Sequence, residues 1–314
     1  MAMHAADPAR VPGAAPARRR VLAAIAAAPL AACAMRTDAP ATFSAEALAL
    51  ALARRPVVLL GEVHDNPLQH RVRAEALRLH LETGARPALA FEQFDREQQS
   101  TLDQARRDPA GGTPQARAER LIQATGGGGW DWALYRPFVE LALRFELPIV
   151  AANLSRSDAM KVGRTGSFDA VFDRQTQRRL GLDRLDADFL RRHQQVVDDS
   201  HCNAMPAAML PALARAQVAR DAALLASIRP HMARGVVLLT GNGHARNDLG
   251  VPFLMETAER ARSLSIGLIE APATGDDAVP LAQLRRQYDV AFVTPRHARP
   301  DPCESLRKRA APAA

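Results

Sequence analysis

Six short apolar runs punctuate this chain, at residues 57–60, 88–91, 148–151, 236–240, 265–269 and 290–293. They are continuous rather than alternating, rich in Val, Leu and Ala, and mostly set off by Gly, Pro or charged residues. That pattern predicts strands covered on both faces, as in a parallel sheet. Between them the spacing turns helical. Asp65-Asn66-Pro67 puts a capping residue before a first-turn proline, predicting a helix that runs through His70, Leu77 and Leu81 and stops at Gly84. Residues 137–145 and 251–261 predict further helices. Two sections break the alternation. Residues 109–134 are rich in Gly, with a run from Gly126 to Gly129 that reads as a flexible loop, and residues 157–230 contain no convincing strand. The pattern predicts an α/β fold: a mostly parallel sheet flanked by helices, with a helical insertion over 157–230.

Two of the predicted strands end alike. Gly61-Glu62-Val63-His64 follows the first and Gly241-Asn242-Gly243-His244 the fourth. In open parallel sheets, ligands and chemistry gather beyond the carboxyl ends of the strands. Glu62 and His64 alternate and so point the same way from an extended backbone. Glu92 is expected to close the second strand, Asn153 the third. Glu62, His64, Glu92 and His244 thus form a candidate site with two chemistries open: a divalent metal held by two imidazoles and two carboxylates, or a metal-free acid–base set with a carboxylate orienting a histidine. No His-Glu-x-x-His, Cys-x-x-Cys, calcium loop or Gly-x-Ser-x-Gly elbow occurs, and the glycine run does not have the strand–helix context of a phosphate loop.

The N-terminus reads as an address. Arg18-Arg19-Arg20 precedes a short apolar stretch ending Leu30-Ala31-Ala32-Cys33, which resembles a bacterial lipoprotein signal with cleavage before Cys33 and lipidation of its thiol. Residues 1–32 are then the signal, 33–44 a lipidated tether, 45–300 the folded domain and 301–314 a tail. Ala34 after the cysteine points to the outer membrane, facing periplasm or cell surface. Four arginines against one aspartate precede the cleavage point, so the +7 of the whole chain falls to +4. With basic residues scattered among acids and only 4% aromatics, nucleic-acid binding is excluded. In an oxidising periplasm the two remaining cysteines, Cys202 and Cys303, are expected to pair.

Gly61-Glu62-Val63-His64-Asp65-Asn66-Pro67, Phe91-Glu92-Gln93, residues 132–137, residues 217–221 and Gly241-Asn242-Gly243-His244-Ala245-Arg246 resemble the ChaN family of bacterial lipoproteins, within the wider Tiki and erythromycin-esterase group. The resemblance implies a haem-binding lipoprotein serving iron acquisition, with haem held by a tyrosine at a homodimer interface. The only tyrosines are Tyr135, expected in a loop beside Trp130 and Trp132, and Tyr288, before the last strand. Trp132 and Asn153 join them as candidate cofactor contacts, and His193, His201 or Met205 in the insertion are the alternative iron ligands. A hydrolase of the Tiki or erythromycin-esterase type, working through Glu62, His64, Glu92 and His244, is the second function.

Overall fold

The computed structural model describes residues 43–107, 111–272, 279–301 and 303–304. Cys33 and the signal segment lie outside the described residues, as does most of the 301–314 tail.

Six parallel strands form one sheet in the order β3-β2-β4-β1-β5-β6: β1 (Val57–Leu60), β2 (Ala88–Asp95), β3 (Ile149–Asn153), β4 (Val236–Leu239), β5 (Ser263–Glu270) and β6 (Val290–Thr294). Every predicted strand is present. β1 and β4 lie side by side in register, Val57 opposite Val236 and Leu60 opposite Leu239, so the two Gly-x-x-His segments leave the sheet as neighbours.

The sheet has two apolar layers because each strand alternates its side chains between them. Val57, Leu59, Val236 and Leu238 enter one core with helix Leu210–Ile228 and the insertion; Val58, Leu60, Val237 and Leu239 enter the other with helices Ala45–Leu52, Pro67–Glu82 and Trp132–Arg144. Residues buried on both faces have no polar alternation to show, which explains the continuous apolar runs in the sequence.

The helix predicted from Asn66-Pro67 spans Pro67–Glu82, with the Asn66 side chain accepting from the Gln69 amide. The insertion is helical throughout, from Arg156–Thr165 to Leu210–Ile228. Three boundaries differ from expectation. The stretch 109–134 contains a helix, Pro114–Thr125, capped by Thr113 and followed by the glycine run. The helix expected from Pro137 starts five residues earlier, at Trp132, because Asp131 caps it, and so Tyr135 is helical rather than in a loop. The stretch 251–261 breaks into Val251–Leu254 and Thr257–Ala261, the second opened by a reciprocal Glu256/Glu259 capping box. Cys202 and Cys303 are joined in a disulfide, Cα–Cα 5.6 Å, that ties the segment after β6 to the end of helix Ala187–Ser200. Among the described residues no helix is long and apolar enough to cross a membrane.

Candidate functional site at the carboxyl rim

The loop after β1 is built from its own helix. The Gly61 amide donates to Ile266 O of β5 at 2.8 Å, and the Glu62 carbonyl accepts from the Asn242 amide beyond β4 at 2.9 Å. Gln69 then accepts from the Val63 amide at 2.7 Å, and His70 Nε2 donates to the His64 carbonyl at 2.9 Å. Burial drives the His70 pKa down to about 4, so its ring is neutral.

Held in this way, Glu62 turns inward and His64 outward. The Glu62 carboxylate is paired with Arg73, both side chains fully buried, and its Oε1 accepts from the Tyr135 hydroxyl at 2.6 Å. The same oxygen takes His64 Nδ1 at 3.0 Å. An ionised carboxylate is an acceptor only, so the Nδ1 that meets it carries a proton. The His64 side chain is 46% exposed and meets the edge of Trp130 at 5.0 Å between ring centroids.

Glu92 lies within β2 rather than closing it, since β2 continues to Asp95. Its Oε2 accepts from Thr240 Oγ1 and the Gly241 amide, both at 2.7 Å. Its Oε1 stands 3.5 Å from His244 Nε2 and 4.0 Å from His64 Nε2. Both imidazoles therefore face one carboxylate oxygen, and the two distant motifs share a rim. Burial alone would raise the Glu92 pKa, but His244, His64 and the two hydrogen-bond donors outweigh it and hold the carboxyl below its ordinary range.

His244 sits one turn beyond β4, in the short helix Asn242–Ala245. Its Nδ1 bonds Asp221 Oδ1 at 2.7 Å. Burial acts to lower its pKa, yet Glu92 on one side and Asp221 on the other prevail and raise it to about 9. At neutral pH this imidazole is a cation between two acids.

The remaining candidates fall in three places. Asn153 ends β3 at the rim, with Arg220 Nη1 3.3 Å from its Oδ1. Trp132 does not face the rim: it stacks on Phe94 at 4.9 Å and donates to Gly127 O, while Trp130 takes the place beside His64. The two tyrosines expected as iron ligands are both buried, Tyr135 donating to Glu62 and Tyr288 to Asn242 O at 3.2 Å. Burial pushes both phenols well above their ordinary pKa, the reverse of what a phenolate ligand needs. In the insertion, His193 gives Nε2 to Leu249 O at 3.0 Å and His201 bonds the Val197 carbonyl of its own helix at 2.7 Å, while Met205 is half-buried in the turn that follows.

Glu62 is committed to Arg73 and Tyr135, and among the described residues no group of three or more His, Cys, Asp or Glu is arranged to hold a metal ion. A four-ligand divalent site, one of the two chemistries left open by the sequence, is not shown among the described residues. Arg73 and His70, which decide the state of Glu62, went unnoticed in the sequence; their three-residue spacing on the helix opened by Pro67 was the available signal. Asp221 lay within a recognised stretch without a role.

No curated protein matches the chain. Among solved structures, ChaN of Campylobacter jejuni, described with cofacial haem binding, is 20% identical with a TM-score of 0.60, covering 78% of this chain and 90% of that one. An erythromycin esterase EreC mutant in its open conformation is 14% identical, covers 72% of each chain and has a TM-score of 0.40. The type III effector HopBA1 is 13% identical, covers 82% of this chain and 96% of its own, also at 0.40. The sequence signature of the family described as haem-binding uptake, Tiki superfamily, ChaN matches residues 48–254, and the chain belongs to that family.

Proposed function

We propose that this protein binds haem at the carboxyl rim of its sheet, with His64 facing the iron, and that it serves iron or haem acquisition as a lipoprotein anchored through Cys33. The family match over residues 48–254 carries the reading. The donor set at the rim supports it. Histidines that ligate metals usually donate their other ring nitrogen to a carboxylate, which fixes the tautomer and raises the basicity of the free one. Glu62 does this for His64 at 3.0 Å, and the side chain is 46% exposed. Bound haem would supply an iron centre for the other ring nitrogen of His64, which stands 4.0 Å from Glu92 Oε1. Trp130, edge-on to His64, offers an apolar flank to the macrocycle.

Haemin added to the purified mature protein is expected to give a shifted Soret band, with the shift altered or lost in His64→Ala. No shift with the wild-type protein would overturn the reading. Anchoring is tested separately: labelled palmitate should be incorporated by the wild type and not by Cys33→Ala, and fractionation should place the label in the outer membrane. Pairing of two copies across the open rim is tested by the molar mass in solution with and without haemin.

The hydrolase reading has less support. A histidine that deprotonates water must be neutral at working pH. His244, held protonated between Glu92 and Asp221 to about pH 9, does not meet this, which leaves His64 as the candidate base, and the family match speaks for haem rather than hydrolysis.

A further inference from the structure

Charged groups along the carboxyl rim come in pairs. Glu62 has Arg73, Asp221 has His244, and Arg299 beyond β6 has Glu270 and Asp65. Arg220 is an exception, as is Asp95 at the end of β2, which is likewise without an ion pair among the described residues. Among the described residues no carboxylate lies within 4 Å of the Arg220 guanidinium, and Asp95 feels it only at longer range. The contacts of Arg220 are two neutral oxygens, Asn153 Oδ1 and Leu154 O, each 3.3 Å from Nη1, and among the described residues no acceptor meets Nε or Nη2.

This arginine is not a surface residue free to find partners in water. It is half-buried on helix Leu210–Ile228, directly before Asp221, which holds His244. Asn153, which steadies it, is itself 6% exposed. The Asn153 oxygen faces Arg220, so its amide NH2 is left as a second donor at the same end of β3. A half-buried guanidinium with a free fork of N–H donors is suited to the planar, bidentate recognition of a carboxylate.

Its place along the rim sets the scale of the ligand. His64 leaves β1 and Asn153 ends β3, and the order β3-β2-β4-β1 puts three strand spacings between them, about 14 Å. A ligand that meets His64 at its centre and Arg220 at its edge is flat, broad and carries a peripheral carboxylate. We infer that Arg220, steadied by Asn153, is the seat for a carboxylate of the bound ligand. This rests on the haem reading above and assigns the propionate edge of the porphyrin to the β3 end of the rim.

The test compares haemin with its dimethyl ester, delivered in the same detergent, by Soret titration of wild type, Arg220→Gln and Arg220→Lys. The wild type should bind the free acid tighter than the ester on the order of tenfold, the range of one charge-assisted hydrogen bond. Arg220→Gln should lose that preference by weakening for the acid alone, and Arg220→Lys should keep part of it. Equal wild-type affinity for acid and ester would overturn the carboxylate seat and leave haem binding standing. Failure of the wild type to bind either would overturn both. The wild-type comparison needs no variant, so a poorly folded Arg220→Gln does not remove the test.

Discussion

The His64 ring lies against the backbone of Gly241: a Cβ built on that glycine falls 2.8 Å from both Cε1 and Nε2 of the imidazole. The converse holds across the strand pair. A Cβ on Gly61 would meet Asn242 Oδ1 at 2.5 Å and the Ile266 carbonyl at 2.8 Å. Each Gly-x-x-His glycine thus makes room for a residue from the other motif or its sheet neighbour. The two substitutions should differ in kind. In Gly241→Ala the obstacle is the end of an exposed side chain, which can swing aside, so the fold should survive while haemin affinity falls at least tenfold. In Gly61→Ala the obstacle includes strand backbone, and the loss should be of stability, on the order of 1–3 kcal/mol of overpacking. Urea unfolding beside Soret titration separates them; full haemin affinity in Gly241→Ala would show that the His64 position is immaterial to binding.

The buried Glu62–Arg73 pair predicts a coupled loss. Removing one partner leaves the other charge in the interior, at about 3–5 kcal/mol. Arg73 also donates to Leu60 O at 3.0 Å, so its removal frees a strand-end carbonyl as well. Glu62→Gln and Arg73→Met should each destabilise strongly. The double variant should lose less than the two losses added, by about 1 kcal/mol or more. Additive losses in urea denaturation would mean that the two groups do not stabilise one another.

The sheet was legible in the sequence because burial on both faces writes itself as unbroken apolar runs, and all six appear. Convergence of His64 and His244 was legible too, since two strands of similar ending in one parallel sheet deliver their loops to one edge. What escaped was set by tertiary partners. The role of Glu62 depends on Arg73 and His70, eleven and eight residues away on the next helix. Tyr135 read as a loop residue because Pro137 looked like a helix start, whereas capping by Asp131 let the helix begin upstream of the proline. Trp130 and Trp132 are two apart on a turn entering a helix, and nothing in their composition tells which faces the core.

The Cys202–Cys303 bridge closes a loop of 101 residues, for which chain entropy sets an upper stabilisation of about 4–5 kcal/mol. Arg299 holds the same segment through Glu270 at 3.0 Å and Asp65 at 2.9 Å. The segment therefore retains an anchor when the disulfide is reduced. Reduction, or Cys303→Ser, should lower the thermal midpoint by several degrees, at about 2–4 °C for each kcal/mol lost. Hydrogen exchange should rise first around Arg299 and at the end of helix Ala187–Ser200. An unchanged midpoint under reductant would show that the Arg299 anchors suffice.

Stability should crest near pH 6.5, with two histidines setting the two limbs. His70 titrates at about 4 in the folded chain against 6.5 unfolded, so on acidification the unfolded chain takes the proton first. The stability that neutral His70 provides is present above 6.5 and is lost as pH falls toward 4. His244 runs the other way. Its folded pKa of about 9 exceeds the unfolded 6.5, so its contribution is complete below 6.5 and is lost as pH rises through 9. Each limb is worth up to about 3 kcal/mol, at 1.36 kcal/mol per pH unit of displacement. Urea midpoints at pH 5, 6.5 and 9 should trace the crest. His244→Asn should flatten the alkaline limb and leave the acid limb in place, because Asp221 and Glu92 then have no proton-dependent cation between them. An alkaline fall that persists unchanged in His244→Asn would assign it to a different group and remove the case for a charged imidazole at the rim.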